Sequence, residues 1–444
     1  MVASFLAPSG QYVPEPGSTH DDTWTEGSIM MMKNNQPAGH PSPENGDVSP
    51  LRSWLAVGSV TIGAFAFVTT EFLPVGLLPQ IARDLGVTPG TAGLMVTTPG
   101  VIAAISAPGM MLGAGRIDRR HILLMLSVLL LASNLISAFA PSFMLMLLGR
   151  AMLGASLGGF WTLALAAAGR LVRPQDAARA TAMILTGVTC ATVIGVPLGT
   201  FIASLASWRA SFMATGVLVA VVLAAQALLV PSLPSSAALR LADLVALCRR
   251  AHPRRSLLMV ALVFGAHFSS YTYIAPFLLQ NAGFNVSSIT WLLLGFGFIG
   301  FISNFAVSAT VTRNLKGSLV TMVSLLMFAL LTLPLLRHSE LAVTLVVLVW
   351  GIAFGAIPLC LSMWIQRATP DLPEAGSALF VGIIQVAIAV GSLIGGTVVD
   401  RVGIPVDFWF GSTLAVLGLA VIASFSAAGK TTVNAELTGR VRVE

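Results

Sequence analysis

Twelve apolar stretches, each long enough to cross a bilayer, set the limits on what this 444-residue chain can become. They cover residues 54–78, 93–113, 122–140, 143–169, 180–203, 210–231, 256–280, 288–311, 318–336, 341–365, 376–398 and 407–427. Each spans the ~30 Å hydrocarbon layer when coiled as a helix. Lipid gives the backbone no hydrogen-bond partner, so a crossing segment must be a helix or a strand in a closed barrel. The period-2 alternation of barrel strands is absent. The expected fold class is therefore an all-α membrane protein with twelve transmembrane helices. Only 9% of residues are charged, against about 25% in soluble domains.

The longest internal loop, 232–255, divides the chain into two six-helix bundles, 51–231 and 256–428. Residues 1–50 are rich in Pro, Gly, Ser and Asn and read as a disordered cytoplasmic tail; 429–444 form a second tail. Met30, Met31 and Met32 offer an alternative start. A weak internal repeat supports the division. Gly63, Glu71 and Pro74 share their spacing with Gly265, Tyr273 and Pro276, and Gly195 and Gly199 with Gly391 and Gly395. Nineteen of the 24 Lys and Arg fall in the tails and in alternate loops on one side. By the positive-inside rule that side is the cytoplasm, and both termini lie there. The net charge of +6 is then a topology signal rather than a nucleic-acid footprint.

Cys190, Cys248 and Cys360 are too scattered for a disulfide framework or a metal site. HExxH, CxxC and Walker A spacings are missing, so neither metal chemistry nor an ATPase motor is expected. The expectation is a transporter rather than an enzyme. Its partners would be a small molecule, protons and lipid, with no cofactor, and the chain would act as a monomer in a bacterial inner membrane.

Glu71 interrupts the first apolar stretch. An acid at a helix centre costs about 2.5–3.5 kcal/mol on insertion scales, so it is expected to handle protons. Arg150, in the fourth stretch, comes to a similar depth. The two are expected to pair, either to couple protons or to fix helix packing. In the seventh stretch His267 and Tyr271 share a face, with Tyr273 close by; Gln385 sits at a similar depth in the eleventh. These four, with Trp161, are the candidates for substrate binding, set against the alternative of hydrogen-bonded packing groups. Asn304, Trp350 and Trp364 are weaker candidates, since tryptophans near helix ends are commonly interface anchors. Gly195, Pro197 and Gly199 suit an interface that slides or seals. Arg116, Arg119 and Arg120 around Asp118 either gate the cytoplasmic face or only signal topology.

Several of these stretches resemble the major facilitator superfamily, in particular its drug:proton antiporter branch. TTEFLPVGLLPQIARDLGV is similar to the first-helix signature of bacterial sugar, arabinose and nucleoside exporters. MLLGRAMLGASLGGFW resembles the fourth-helix motif and implies that Arg150 is the proton-linked arginine. GVPLG resembles the fifth-helix motif of antiporters, with Val196 before Pro197 and Thr200 where Gly is usual. LGRAMLGASLGGFW, SLASWR, HFSSYTYIAPF and WGIAFGAIPLCLSMWIQR together look most like purine ribonucleoside efflux pumps. One departure is Gly115 where the family's loop carries Asp, with Asp118 three residues later. The resemblance implies proton-coupled efflux of a small polar or amphiphilic molecule, with purine ribonucleosides first. The alternatives are a multidrug or sugar exporter of this fold, an uptake symporter and a non-transporting sensor.

Overall fold

The computed structural model describes residues 50–113, 117–233 and 241–425. The tails, Arg116 and Arg240 lie outside them. Among the described residues, twelve helices are long and apolar enough to cross a membrane. We number them spans 1 to 12: Leu51–Asp84, Pro89–Ala107, Arg119–Ala138, Phe143–Trp161, Pro174–Leu205, Trp208–Leu229, Ala251–Gln280, Val286–Val311, Leu315–Thr332, Glu340–Ala368, Pro373–Arg401 and Ile404–Ser424. All-helical architecture follows from lipid's demand that each backbone group be satisfied within its own segment.

Helix ends are where side chains intervene. Thr88, Asp118, Ser142, Ser207, Asn285, Asn314 and Ser339 each accept a first-turn N–H, filling part of the gap every helix start leaves. Tight turns separate spans 1 and 2 and spans 7 and 8. Gly86 and Gly283 adopt φ of 66° and 76° there, a region that costs glycine nothing. Span 1 runs six residues beyond the 54–78 expected, to Asp84. The central loop is not wholly irregular: Leu241–Arg249 forms a short helix, and span 7 starts at Ala251. Arg250 holds Asp371 at 2.6 Å on this surface, and that hydrogen bond keeps the Asp371 carboxyl below the usual carboxylate range.

Glycines set the helix spacing and reveal the repeat. Gly154 and Gly158 of span 4 lie against Pro99 and Ala103 of span 2. Gly351 and Gly355 of span 10 lie against Phe296 and Gly300 of span 8. All four pairs of equivalents differ by 197 in number (351 − 154, 355 − 158, 296 − 99, 300 − 103). The same offset links two of the crossings between bundles. Gly100 of span 2 meets Gln385 O and Ala389 of span 11, and Gly297 of span 8 meets Thr192 O and Val193 of span 5. Small residues allow such backbone approaches in membranes. In span 5 the contact falls where residues Ala191–Gly195 form a π-helical turn, a local widening often found at functional positions.

We call the surface where span 1 begins the tail face and the opposite one the far face. The bundles close against each other at the far face. There, the first bundle's apolar core (Leu73, Leu77, Ile81, Met95) is continuous with that of the second. Its tail half (Val57, Phe67, Leu126, Phe160) forms a separate core. Thr88 Oγ1 and Gly90 N of the first bundle donate to Asp400 of span 11 at 2.6 and 2.9 Å. Phe72 of span 1 stacks on Phe268 of span 7 with centroids 5.4 Å apart.

The 117–120 stretch, read as gating the tail face or only signalling topology, is bonded within the first bundle. Asp118 caps span 3 and accepts from Ser232 Oγ and Leu233 N. Arg119 N donates to Leu233 O, and Arg120 Nη2 to Ala227 O at 2.6 Å. All these bonds stay inside the first bundle, tying span 3 to the end of span 6. Desolvation pushes the Asp118 carboxyl up, but its bonds to Ser232, Leu233 N and Arg120 N outweigh that and leave it below the usual range. A depressed carboxyl adds stability above its unfolded value of about 3.9, lost as pH falls through the folded one. Asp118→Ala is therefore expected to cost roughly 1 kcal/mol at neutral pH, the usual worth of a cap. Thermal melts of both proteins in detergent check this, and the gap should close in acid.

Candidate functional site

Arg150 is fully buried in span 4, and its guanidinium is spent on main-chain oxygens. Nε donates to Met95 O, Nη1 to Thr70 O and Nη2 to Glu71 O, each at 2.7 Å. Two of these acceptors are explained by proline. Pro74 lacks the N–H that Thr70 O would take four residues on, and Pro99 lacks the one for Met95 O. Each proline frees a carbonyl in spans 1 and 2, and the planar fork of Arg150 satisfies both. The expected side-chain pair with Glu71 is thus corrected: the contact is to the Glu71 backbone. Three of the guanidinium's five N–H groups go to main-chain oxygens, two of them orphaned by proline.

The Glu71 carboxyl, 4% exposed, points the other way. Its Oε1 accepts from Gln385 Nε2 at 3.2 Å, across the seam between the bundles. Gln385, expected either to bind substrate or to bond a neighbouring helix, bridges span 11 to span 1. Next to Glu71, the Thr70 hydroxyl accepts from Asn134 Nδ2 of span 3 at 3.1 Å. This ties a third helix of the first bundle to the site.

His267 and Tyr271 do lie together. Their rings stack at 4.8 Å, inside an aromatic cluster with Phe296, Trp350 and Phe354. Trp350 Nε1 donates to His267 Nδ1 at 3.0 Å. Trp350 is fully buried, which corrects its reading as an interface anchor. Tyr273 is separated from this pair by a break in span 7 at Thr272–Tyr273. Its hydroxyl donates to Ser392 O at 2.7 Å and packs against Gly93 of span 2. That places Tyr273 in the far-face seam. Trp161 lies eleven residues along span 4 from Arg150, edge-on to Phe160, in the tail-half core and away from His267. Gly195 and Gly199 approach Thr69 and Leu73 of span 1, with Pro197 between them. Trp364 donates to Ser256 Oγ and Asn304 to Gly355 O, both within the second bundle. A cavity of about 240 Å³ lies between spans 1, 5 and 6, lined by Thr69, Leu73, Gly199 and Thr215.

Sequence reasoning missed Asn134, Asp400 and Asp407. Asn134 falls in an apolar run without a motif. Asp400 and Asp407 sit at helix ends, where an acid reads as an ordinary surface group.

The whole-chain comparison agrees with the geometry. The family model for the Major Facilitator Superfamily matches residues 60–381. The chain belongs to the Major Facilitator Superfamily. Its relatives include the purine ribonucleoside efflux pump NepI of Escherichia coli (strain K12), 33% identical over 372 residues, covering 84% of this chain and 94% of the pump. NepI of Shigella sonnei (strain Ss046) matches equally. Among solved structures, the human organic anion transporter MFSD10 (TETRAN) is similar at 18% identity and TM-score 0.64, covering 83% of this chain and 99% of that one. A bacterial homolog of the human lysosomal transporter Spinster, inward-facing and occupied, gives 15% identity and TM-score 0.67, covering 85% and 97%. This member of the superfamily is a multi-pass membrane transporter with a twelve-helix fold.

Proposed function

We propose that the chain exports purine ribonucleosides and their analogues across a bacterial inner membrane in exchange for protons, with both termini cytoplasmic. The observation that carries this reading is the Glu71–Gln385 bond. A membrane-embedded carboxyl in the seam between the bundles ties its own proton to their separation. With the far face open to the outside, Glu71 takes a proton and substrate leaves. The neutral carboxyl can then be enclosed as the seam closes, without burying a charge. With the tail face open, the proton departs to the cytoplasm and substrate binds again. The cycle runs because proton and substrate differ in affinity for the two states.

The 33% identity to NepI supports a purine ribonucleoside as substrate. Arg150 sets the position of Glu71 in this scheme. The test is uptake of labelled inosine and guanosine into everted membrane vesicles that are acid inside. We expect accumulation that collapses when the pH gradient is dissipated. Accumulation of sugars or hydrophobic cations alone would make the chain another kind of exporter. Movement of nucleoside with the protons would make it a symporter.

A further inference from the structure

Asp407 has no place in this scheme. It lies in the first turn of span 12, at the far face, and is fully buried. Neither carboxyl oxygen has a hydrogen-bond partner. An acid in a first turn can serve the helix dipole, yet this one accepts none of the first-turn N–H groups. Nearby donors are committed elsewhere. Ser269 Oγ donates to Ala266 O, Tyr273 OH to Ser392 O, and Ser270 Oγ to the Asp407 main-chain oxygen. The carboxyl rests against Gly395 of span 11, where a Cβ would come within 2.8 Å of Oδ1.

The titratable groups facing Asp407 are Tyr273 of span 7 and, beyond it, Asp400 of span 11. Asp400 already accepts from Thr88 and Gly90, while Arg401 is exposed at the end of the same span. Span 9 carries its one charge, Lys316, at the opposite end, and Glu340 of span 10 is exposed. No cation forms an ion pair with Asp407 among the described residues. A dry carboxylate without partner or counter-ion is strongly disfavoured, whereas the neutral acid tolerates this site.

Two elements cover it, and both take part in far-face closure. The segment Ile274–Gln280, beyond the break in span 7, packs on span 1 of the other bundle and on span 12, with Phe277 4.6 Å from Phe408. The Gly395–Asp400 stretch of span 11 touches Asp407 on one side and Gly90 on the other. Span 12 and both covers belong to the second bundle, and each cover also bears on the first bundle at the far face.

We propose that losing the first bundle's contact lets these covers ease off span 12 and wets the carboxyl, making Asp407 a second proton-binding site, filled when the far face closes and emptied when it opens. Closure takes a proton from the far-side water and forms the carboxyl O–H bond; opening returns it to the same side. This proton is not transported. It makes external acid favour the closed far face. The inference rests on the alternating opening proposed above.

The test is a spin-label distance between Arg83→Cys and Val402→Cys, exposed far-face positions in different bundles, in nanodiscs with the native cysteines replaced. Acidification is expected to shorten the distance in the native chain and still to do so in a Glu71→Gln background, where the seam carboxyl no longer titrates. In that background Asp407→Asn, which mimics the neutral acid, should hold the short distance at both acid and alkaline pH. A pH response kept in full by Asp407→Asn overturns this inference and leaves alternating opening intact. No response to pH or nucleoside in the native chain overturns both. A second measurement needs no Asp407 variant. In a Glu71→Gln background, the far-face-closed chain should show the infrared carbonyl band of a dry, protonated carboxyl at neutral pH. Absence of that band also overturns the inference.

Discussion

Arg150→Ala is expected to abolish transport and to lower the stability of the first bundle by roughly 2–6 kcal/mol, at about 1–3 kcal/mol for each of two orphaned carbonyls. Thr70 O and Met95 O have lost their helical donors to Pro74 and Pro99, and the guanidinium is what satisfies them. Glu71 O is less affected, because Val75 still offers its N–H. Arg150→Lys should recover only part of the loss. One ammonium on a flexible stem cannot reproduce a rigid fork aimed at two helices. A more specific outcome follows from the cause. Adding Pro74→Ala to Arg150→Ala restores a donor for Thr70 O and should return part of the stability, a coupling that a double-mutant cycle measures. An Arg150→Ala protein that melts with the native one would sink this account. Recovery of stability without recovery of transport would separate the arginine's bracing of the backbone from any part in the cycle.

Glu71→Gln is expected to reduce nucleoside movement driven by a pH gradient to background in everted vesicles. Exchange of labelled for unlabelled nucleoside should survive. The amide keeps the shape of the carboxyl and still offers an oxygen to Gln385 Nε2, so the seam can close. It cannot change its charge, so no proton is carried across at this site and a pH gradient no longer drives the cycle. Gradient-driven uptake retained by this variant would remove Glu71 from the coupling. Arg150 keeps its main-chain acceptors in this variant, so melting temperature should change little. That contrast with Arg150→Ala separates the two residues, which the sequence had joined as a pair.

The number of spans, their order and their division into two bundles were legible because lipid imposes length and apolarity on each crossing segment. The extent of span 1 was not. Its polar turn at Pro79–Asp84 reads as loop, although the helix continues to Asp84. Glu71 and Arg150 stood out as charges in apolar runs, and the structure brings them together. What each one touches was hidden, because the acceptors of Arg150 are backbone atoms whose availability depends on prolines in two other places. Tyr273 looked like a neighbour of His267 by spacing alone; the break at Thr272–Tyr273 turns it toward span 2. Asp407 escaped notice for the opposite reason: helix-end acids are ordinary, and only packing distinguishes a dry one.

The paired crossings at Gly100 and Gly297 carry a mechanical consequence. With nothing larger than the Ala389 methyl between the backbones, these two points are placed to serve as fulcra. Gly100 lies 11 residues from Pro89 and 13 from Gly113, and Gly297 lies 11 from Val286 and 14 from Val311. Each lever arm is therefore about 16–21 Å at 1.5 Å per residue. A rocking of about 20° would sweep the helix ends through roughly 6–7 Å on both surfaces. Arms so nearly equal make the aperture gained on one side match the aperture lost on the other, and a transporter balanced in this way leaves little room for a leak.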